Sequence, residues 1–141
     1  MKGDPIPDTD HITRLCKPMT APNGEIQATA FMLRDDEPFL SVSWVEYFKL
    51  NDIDEAIDNL RGIYVQVFNK LTKNYRIGLL SVDSVKQKVH DESPDNRNVN
   101  ILHEPNGIDP SHSGIYDLNP DNEFIAELIL ETILENYPAI I

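Results

Sequence analysis

The chain has 141 residues, enough for one domain with its own core, and carries 24 acidic against 12 basic side chains for a formal charge of −12. That balance argues against nucleic-acid binding, because phosphate recognition draws most of its affinity from Lys and Arg. Apolar residues at 40% supply a core, a single cysteine excludes an internal disulfide, and no apolar run approaches the roughly 18 residues of a membrane span.

The opening MKGDPIPDTD sets Pro5 and Pro7 among aspartates and lacks the apolar centre of a secretory signal. It predicts a flexible N-terminal arm over 1–10, a single domain at 11–141, and a cytoplasmic, membrane-free protein. Asn23-Gly24 predicts a tight turn, since both residues accept positive φ. ATAFMLR at 28–34 and FLSVSWVEYF at 39–48 read as two strands joined by the acidic turn 35–38, with Leu40, Val42 and Trp44 alternating with Ser41 and Ser43.

Residues 52–73 carry the clearest helical period: Ile53, Ala56, Ile57, Leu60, Tyr64 and Val67 recur at spacings of three and four. Asp52 with Glu55 forms a capping-box pattern at its start. A third strand is expected at 75–82, a short helix at 84–89, a polar loop at 90–98, a strand at 99–104 and a turn-rich run at 105–114. Asn119-Pro120 then opens a terminal helix reaching Tyr137, where Pro138 stops it. The fold class is therefore α+β: a single compact domain with a small mixed or antiparallel sheet packed against two main helices, about 52–73 and 119–137.

Charge is unevenly spread, for residues 98–141 hold eight acids and no Lys or Arg. Glu123, Glu127, Glu131 and Glu135 lie four apart, which on one helix stacks them on a single face at a cost of roughly 0.2–0.5 kcal/mol per like-charged pair. Such a strip is either a solvated face or a docking surface for a basic protein partner.

DHITRLCKP at 10–18 gathers His11, Arg14, Cys16 and Lys17; Arg14 and Lys17 are candidates to hold an anion, and His11 to move a proton. Cys16 is expected to be buried and inert, although its basic neighbours would otherwise favour a reactive thiolate. DPSHSGIY at 109–116 places Ser111, His112 and Ser113 on an expected loop, without the nucleophile elbow of a serine hydrolase. His90, His103 and His112 follow no metal-ligand spacing, and the six glycines form no phosphate-cradling motif, so neither metal nor cofactor is expected.

DHITRLCKP, AFMLRDDEPFLSVSWVEYF and DPSHSGIYDL together resemble blocks found in the same order in a family of small uncharacterised bacterial proteins. The resemblance spans most of the chain and implies no activity, ligand or site residue; it implies only that the first and third blocks share a surface. Two functional readings follow. The first is an acidic cytoplasmic partner-binding protein of accessory, immunity or antitoxin type, acting by occlusion or scaffolding through Glu123, Glu127, Glu131 and Glu135. The second is a small phosphoester- or nucleotide-acting enzyme that uses His11 and His112 as a catalytic pair, with Arg14 and Lys17 on the anion.

Overall fold

The computed structural model describes residues 2–141, in which six strands form one antiparallel sheet: β1 (His11–Cys16), β2 (Leu40–Trp44), β3 (Arg76–Ser81), β4 (Asn100–His103), β5 (His112–Tyr116) and β6 (Glu135–Pro138). Their order across the sheet is β4-β5-β2-β1-β3-β6. Three helices complete the α+β architecture, α1 (Ile53–Val67), α2 (Val82–Glu92) and α3 (Glu123–Leu130). Among the described residues no helix is long and apolar enough to cross a membrane.

The pleat sends alternate strand residues to opposite faces, so each face builds its own core. On one side Ile12, Leu40, Val42, Leu80 and Ile115 pack under α2 and α3. On the other, Ile77 and Leu79 pack under Ala56, Ile57, Leu60 and Tyr64 of α1. The capping expected at Asp52 is present: its carboxylate accepts the Glu55 amide at 2.8 Å, and Glu55 reaches back to the Asn51 amide at 3.4 Å. Helix α1 ends at Val67 rather than near residue 73, because Phe68 leaves helical dihedrals and its amide closes the last turn on Tyr64.

Tertiary demands overturn two more sequence expectations. Residues 28–34 do not form a strand; Ala28–Phe31 make a 3-10 turn that buries Ala30 and Phe31 in the α3 core. Both edges of β2 are already occupied by β1 and β5, which leaves no place for a hairpin partner. The terminal helix does not run from 119 to 137. Asp121 adopts a left-handed φ of 57°, incompatible with a helix starting at Pro120, and Asn122 caps α3 instead by accepting the Ile125 amide at 3.1 Å. Beyond Leu130 the chain turns, the Leu134 amide donates to the Leu79 carbonyl at 2.9 Å, and β6 fills the free edge of β3.

Residues 3–10 of the N-terminal arm dock against the domain. The Gly3 and Ile6 amides donate to the carbonyls of His103 and Ile101 at 2.6 and 2.9 Å, and the His103 amide donates to Asp4 at 2.8 Å. Ile6 is buried, Asp8 pairs with Lys86 at 2.8 Å, and Asp10 accepts the Trp44 indole N–H at 2.8 Å. The segment has few apolar atoms to bury, and its contacts run along the edge of β4 instead.

Candidate functional site

The site begins with a fault in the sheet. β1 pairs with β3 along its whole length, but with β2 only at Ile12↔Trp44 and Thr13↔Ser43. Beyond that point the side chain of Arg14 replaces the missing ladder: Nη1 donates to the Ser41 carbonyl at 2.9 Å and Nε to the Ala30 carbonyl at 2.8 Å. Two neutral carbonyls hold the cation, and among the described residues no carboxylate forms an ion pair with it. Burial is the largest influence on the guanidinium and lowers its pKa from the ordinary value, while its Nη2 atom makes no hydrogen bond among the described residues.

Two cavities meet at this residue. One of about 230 Å³ is lined by Thr13, Arg14, Ser41, Ser43, Tyr64, Asp109 and His112, with Val67 and Phe68 at the end of α1 as its apolar wall. The second, about 200 Å³, adds Lys17, Thr20, Arg34 and Glu37, and shares Arg14, Leu15, Ser41 and Phe68 with the first. Joined across Arg14 they reach the lower part of the range of about 300–1,000 Å³ that small-molecule sites occupy.

The inner wall is a polar chain whose direction is set by its end point. Asp109 is buried, and its Oδ1 accepts both the amide and the hydroxyl of Ser111, at 2.9 and 2.5 Å. Its Oδ2 accepts the Ser43 hydroxyl at 3.0 Å. Because Ser43 spends its proton on the carboxylate, Tyr64 Oη donates to Ser43 at 2.9 Å, and Thr13 Oγ1 in turn donates to Tyr64 at 2.8 Å. Burial pushes the Tyr64 phenol up to about 12, so it stays a neutral donor. Such a fully connected network rigidifies the wall.

His112 stands at the rim, half-buried, with Phe39 against its ring at a centroid distance of 5.8 Å. Its Nδ1 lies 2.8 Å from the Glu104 carbonyl oxygen. A carbonyl only accepts, so Nδ1 carries the proton, and in the neutral ring Nε2 is left with a lone pair. That lone pair faces the hydroxyl of Ser41 at 3.2 Å.

Of the residues singled out from sequence, Arg14, Lys17 and His112 converge here, with Arg14 common to both cavities. His11 does not line either cavity: its Nδ1 and backbone amide bind the Glu46 carboxylate at 2.6 and 2.7 Å, which removes it from a pair with His112. The four glutamates do not share one helical face. Glu123 and Glu127 lie on α3, Glu131 caps it 3.7 Å from Lys88, and Glu135 sits on β6. Ser111 and Ser113 are fully buried structural hydroxyls, not loop nucleophiles, and Ser113 and His112 belong to β5. Cys16 is buried, which pushes its thiol up to about 11 despite Arg14 nearby.

Sequence reading passed over Ser41, Ser43, Thr13 and Tyr64 as site residues. Ser41 and Ser43 are marked in the sequence by polarity at alternating positions of β2, one face of an otherwise apolar strand, whereas Thr13 on β1 and Tyr64 on α1 carry no such mark. Among the described residues no cluster of three or more side chains is disposed to hold a metal ion. Comparison with protein families, curated proteins and solved structures finds no match to the chain.

Proposed function

We propose that this protein binds a small anionic molecule, a carboxylate or phosphate, in the groove at Arg14. The observation that carries the reading is a half-buried guanidinium with two carbonyl partners and, among the described residues, no carboxylate paired with it and no partner for Nη2, at the junction of two cavities. Desolvating a charge that no carboxylate pairs directly is costly, Glu37 of the adjoining cavity acting on it without an ion pair, and an anion arriving in the groove offsets that cost. Guanidinium geometry suits the planar fork of a carboxylate or phosphate. Lys17 and Arg34 in the adjoining cavity, against its one carboxylate Glu37, extend the positive lining in a chain that is otherwise strongly acidic.

This keeps the anion site of the enzyme reading and drops its histidine pair, since His11 is engaged by Glu46 away from the groove. Docking of a basic partner has less support, because the glutamates meant to form its strip are divided between α3, its cap and β6.

Thermal unfolding and calorimetric titration with acetate, succinate, phosphate and a nucleoside monophosphate, at fixed ionic strength, test the proposal. At least one anion should raise the melting temperature saturably, since a ligand at 100 times its Kd adds about 2.7 kcal/mol. Arg14→Gln should weaken that ligand by about 10-fold or more, the value of a charged hydrogen bond. Should this variant fold poorly, ligand-induced shifts of the His112 ring protons in the unaltered protein give the same reading. If no anion acts beyond a chloride control, the proposal fails.

A further inference from the structure

We propose that Ser41 and His112 form a nucleophile–base pair, and that the groove cleaves a carboxylic ester whose acid product is the anion recognised by Arg14. The inference rests on the anion-site reading above and gives it a chemistry.

Three features single out Ser41. The first is the identity of its partner. Thr13, Ser43, Ser111 and Ser113 all spend their protons on a phenol, a carboxylate or a carbonyl. Ser41 Oγ alone of these faces an unprotonated imidazole nitrogen, at 3.2 Å, and it has no other hydrogen-bond partner among the described residues. The second is the orientation of the base: the Glu104 carbonyl holds the His112 proton on Nδ1, the tautomer that leaves Nε2 to accept. A nucleophile within reach of a base, and the base oriented by a third group, is the arrangement that activates a hydroxyl. The third is access. Ser41 and His112 are half-buried and line the same cavity, whereas Ser43, which also lines it, is buried with its hydroxyl committed to Asp109, and Ser111 and Ser113 are buried away from it.

Arg14 supplies the electrostatic partner. Its Nη1 binds the carbonyl of Ser41 itself, which sets the guanidinium beside the nucleophile with Nη2 uncommitted. As Ser41 Oγ bonds to the ester carbon, its proton passes to His112 Nε2, and the electron pair of the C=O bond moves to an oxygen that the Nη2 donors meet. Collapse of this intermediate restores the C=O and breaks the bond to the leaving alcohol, whose oxygen takes the proton from Nε2. Water then repeats the sequence: it attacks the acyl carbon, gives its proton to Nε2, and expels Ser41, which recovers that proton. One water is consumed, and an alcohol and a carboxylic acid are released. The carboxylate product resembles the oxyanion in charge, so one guanidinium serves both.

A fluorophosphonate probe and p-nitrophenyl acetate test the pair. Intact-mass and peptide analysis should show one adduct on Ser41, and p-nitrophenol should be released with turnover. Ser41→Ala should abolish both with the far-ultraviolet dichroism intact. His112→Asn keeps a donor for the Glu104 carbonyl but no base, and should slow labelling by about 10²- to 10⁴-fold with the far-ultraviolet dichroism intact. An unlabelled Ser41 in protein that still binds carboxylates overturns the dyad and leaves the anion site standing, as does labelling that proceeds unchanged in His112→Asn. Loss of anion binding in the unaltered protein removes both proposals.

Discussion

Arg14 Nη1 lies 2.9 Å from the Ser41 carbonyl, across two neighbouring strands whose backbone pairing has ended one residue earlier, at Thr13↔Ser43. A side-chain cation thus completes a sheet that the main chain leaves open, and the opening is the groove. Arg14→Met keeps the aliphatic stem and deletes the donors. Two carbonyls then lose their partners, at about 1–3 kcal/mol of stability in total. Chemical denaturation should read that loss, and the anion-dependent thermal shift should vanish with it.

Alkaline pH should destabilise the fold through two buried acids. Burial raises Cys16 from 9.0 to about 11 and Tyr64 from 10.0 to about 12. The native state therefore keeps these protons where the unfolded chain loses them. Their contribution is complete below the unfolded values and declines as pH rises toward the folded ones, by roughly 2 kcal/mol or more for each group. Urea titrations at several pH values between neutrality and strong base should show this slope. Cys16→Ala should flatten its lower part and Tyr64→Phe its upper part, relative to the unaltered chain. Native Cys16 should also resist thiol reagents until the protein unfolds.

Gly114 is required by Phe39. A Cβ added there would stand 2.3 Å from Phe39 Cδ1 and 2.6 Å from Cγ, so the ring would have to leave the strand surface. That ring also packs against His112 and Tyr116, at centroid distances of 5.8 and 5.0 Å. Gly114→Ala should cost about 1–3 kcal/mol, as overpacking does. In a Phe39→Ala background the same change should cost much less, and the double-mutant cycle measures the coupling.

Removal of residues 2–6 should expose the edge of β4, whose carbonyls at Ile101 and His103 now accept amides from the arm. Burial of Ile6 is lost as well, at about 1.5–3 kcal/mol. The truncated chain should melt earlier and self-associate with rising concentration, because an uncovered edge strand recruits another. Light scattering alongside thermal unfolding reads both effects.

Local chemistry decided what the sequence could announce unaided. Asp52 and Glu55 act within one turn, and the apolar stripe from Ile53 to Tyr64 has meaning at any position in a fold, so α1 was readable. The same holds for the α+β class and the strand cores around Leu40, Ile77 and Ile101. Residues 131–137 repeat at a helical spacing too, yet the unfilled edge of β3 drew Glu135–Pro138 into a strand, and an edge 56 residues away leaves no local mark. The site is non-local in the same way. Ser41 and His112 are 71 residues apart in the chain, and Arg14 meets Ser41 only because β1 and β2 diverge after Thr13. Residue types such as Arg14 and His112 could be nominated from the sequence, but which of them share a cavity, and with which hydroxyl, is a matter of strand order and register that only the assembled sheet determines.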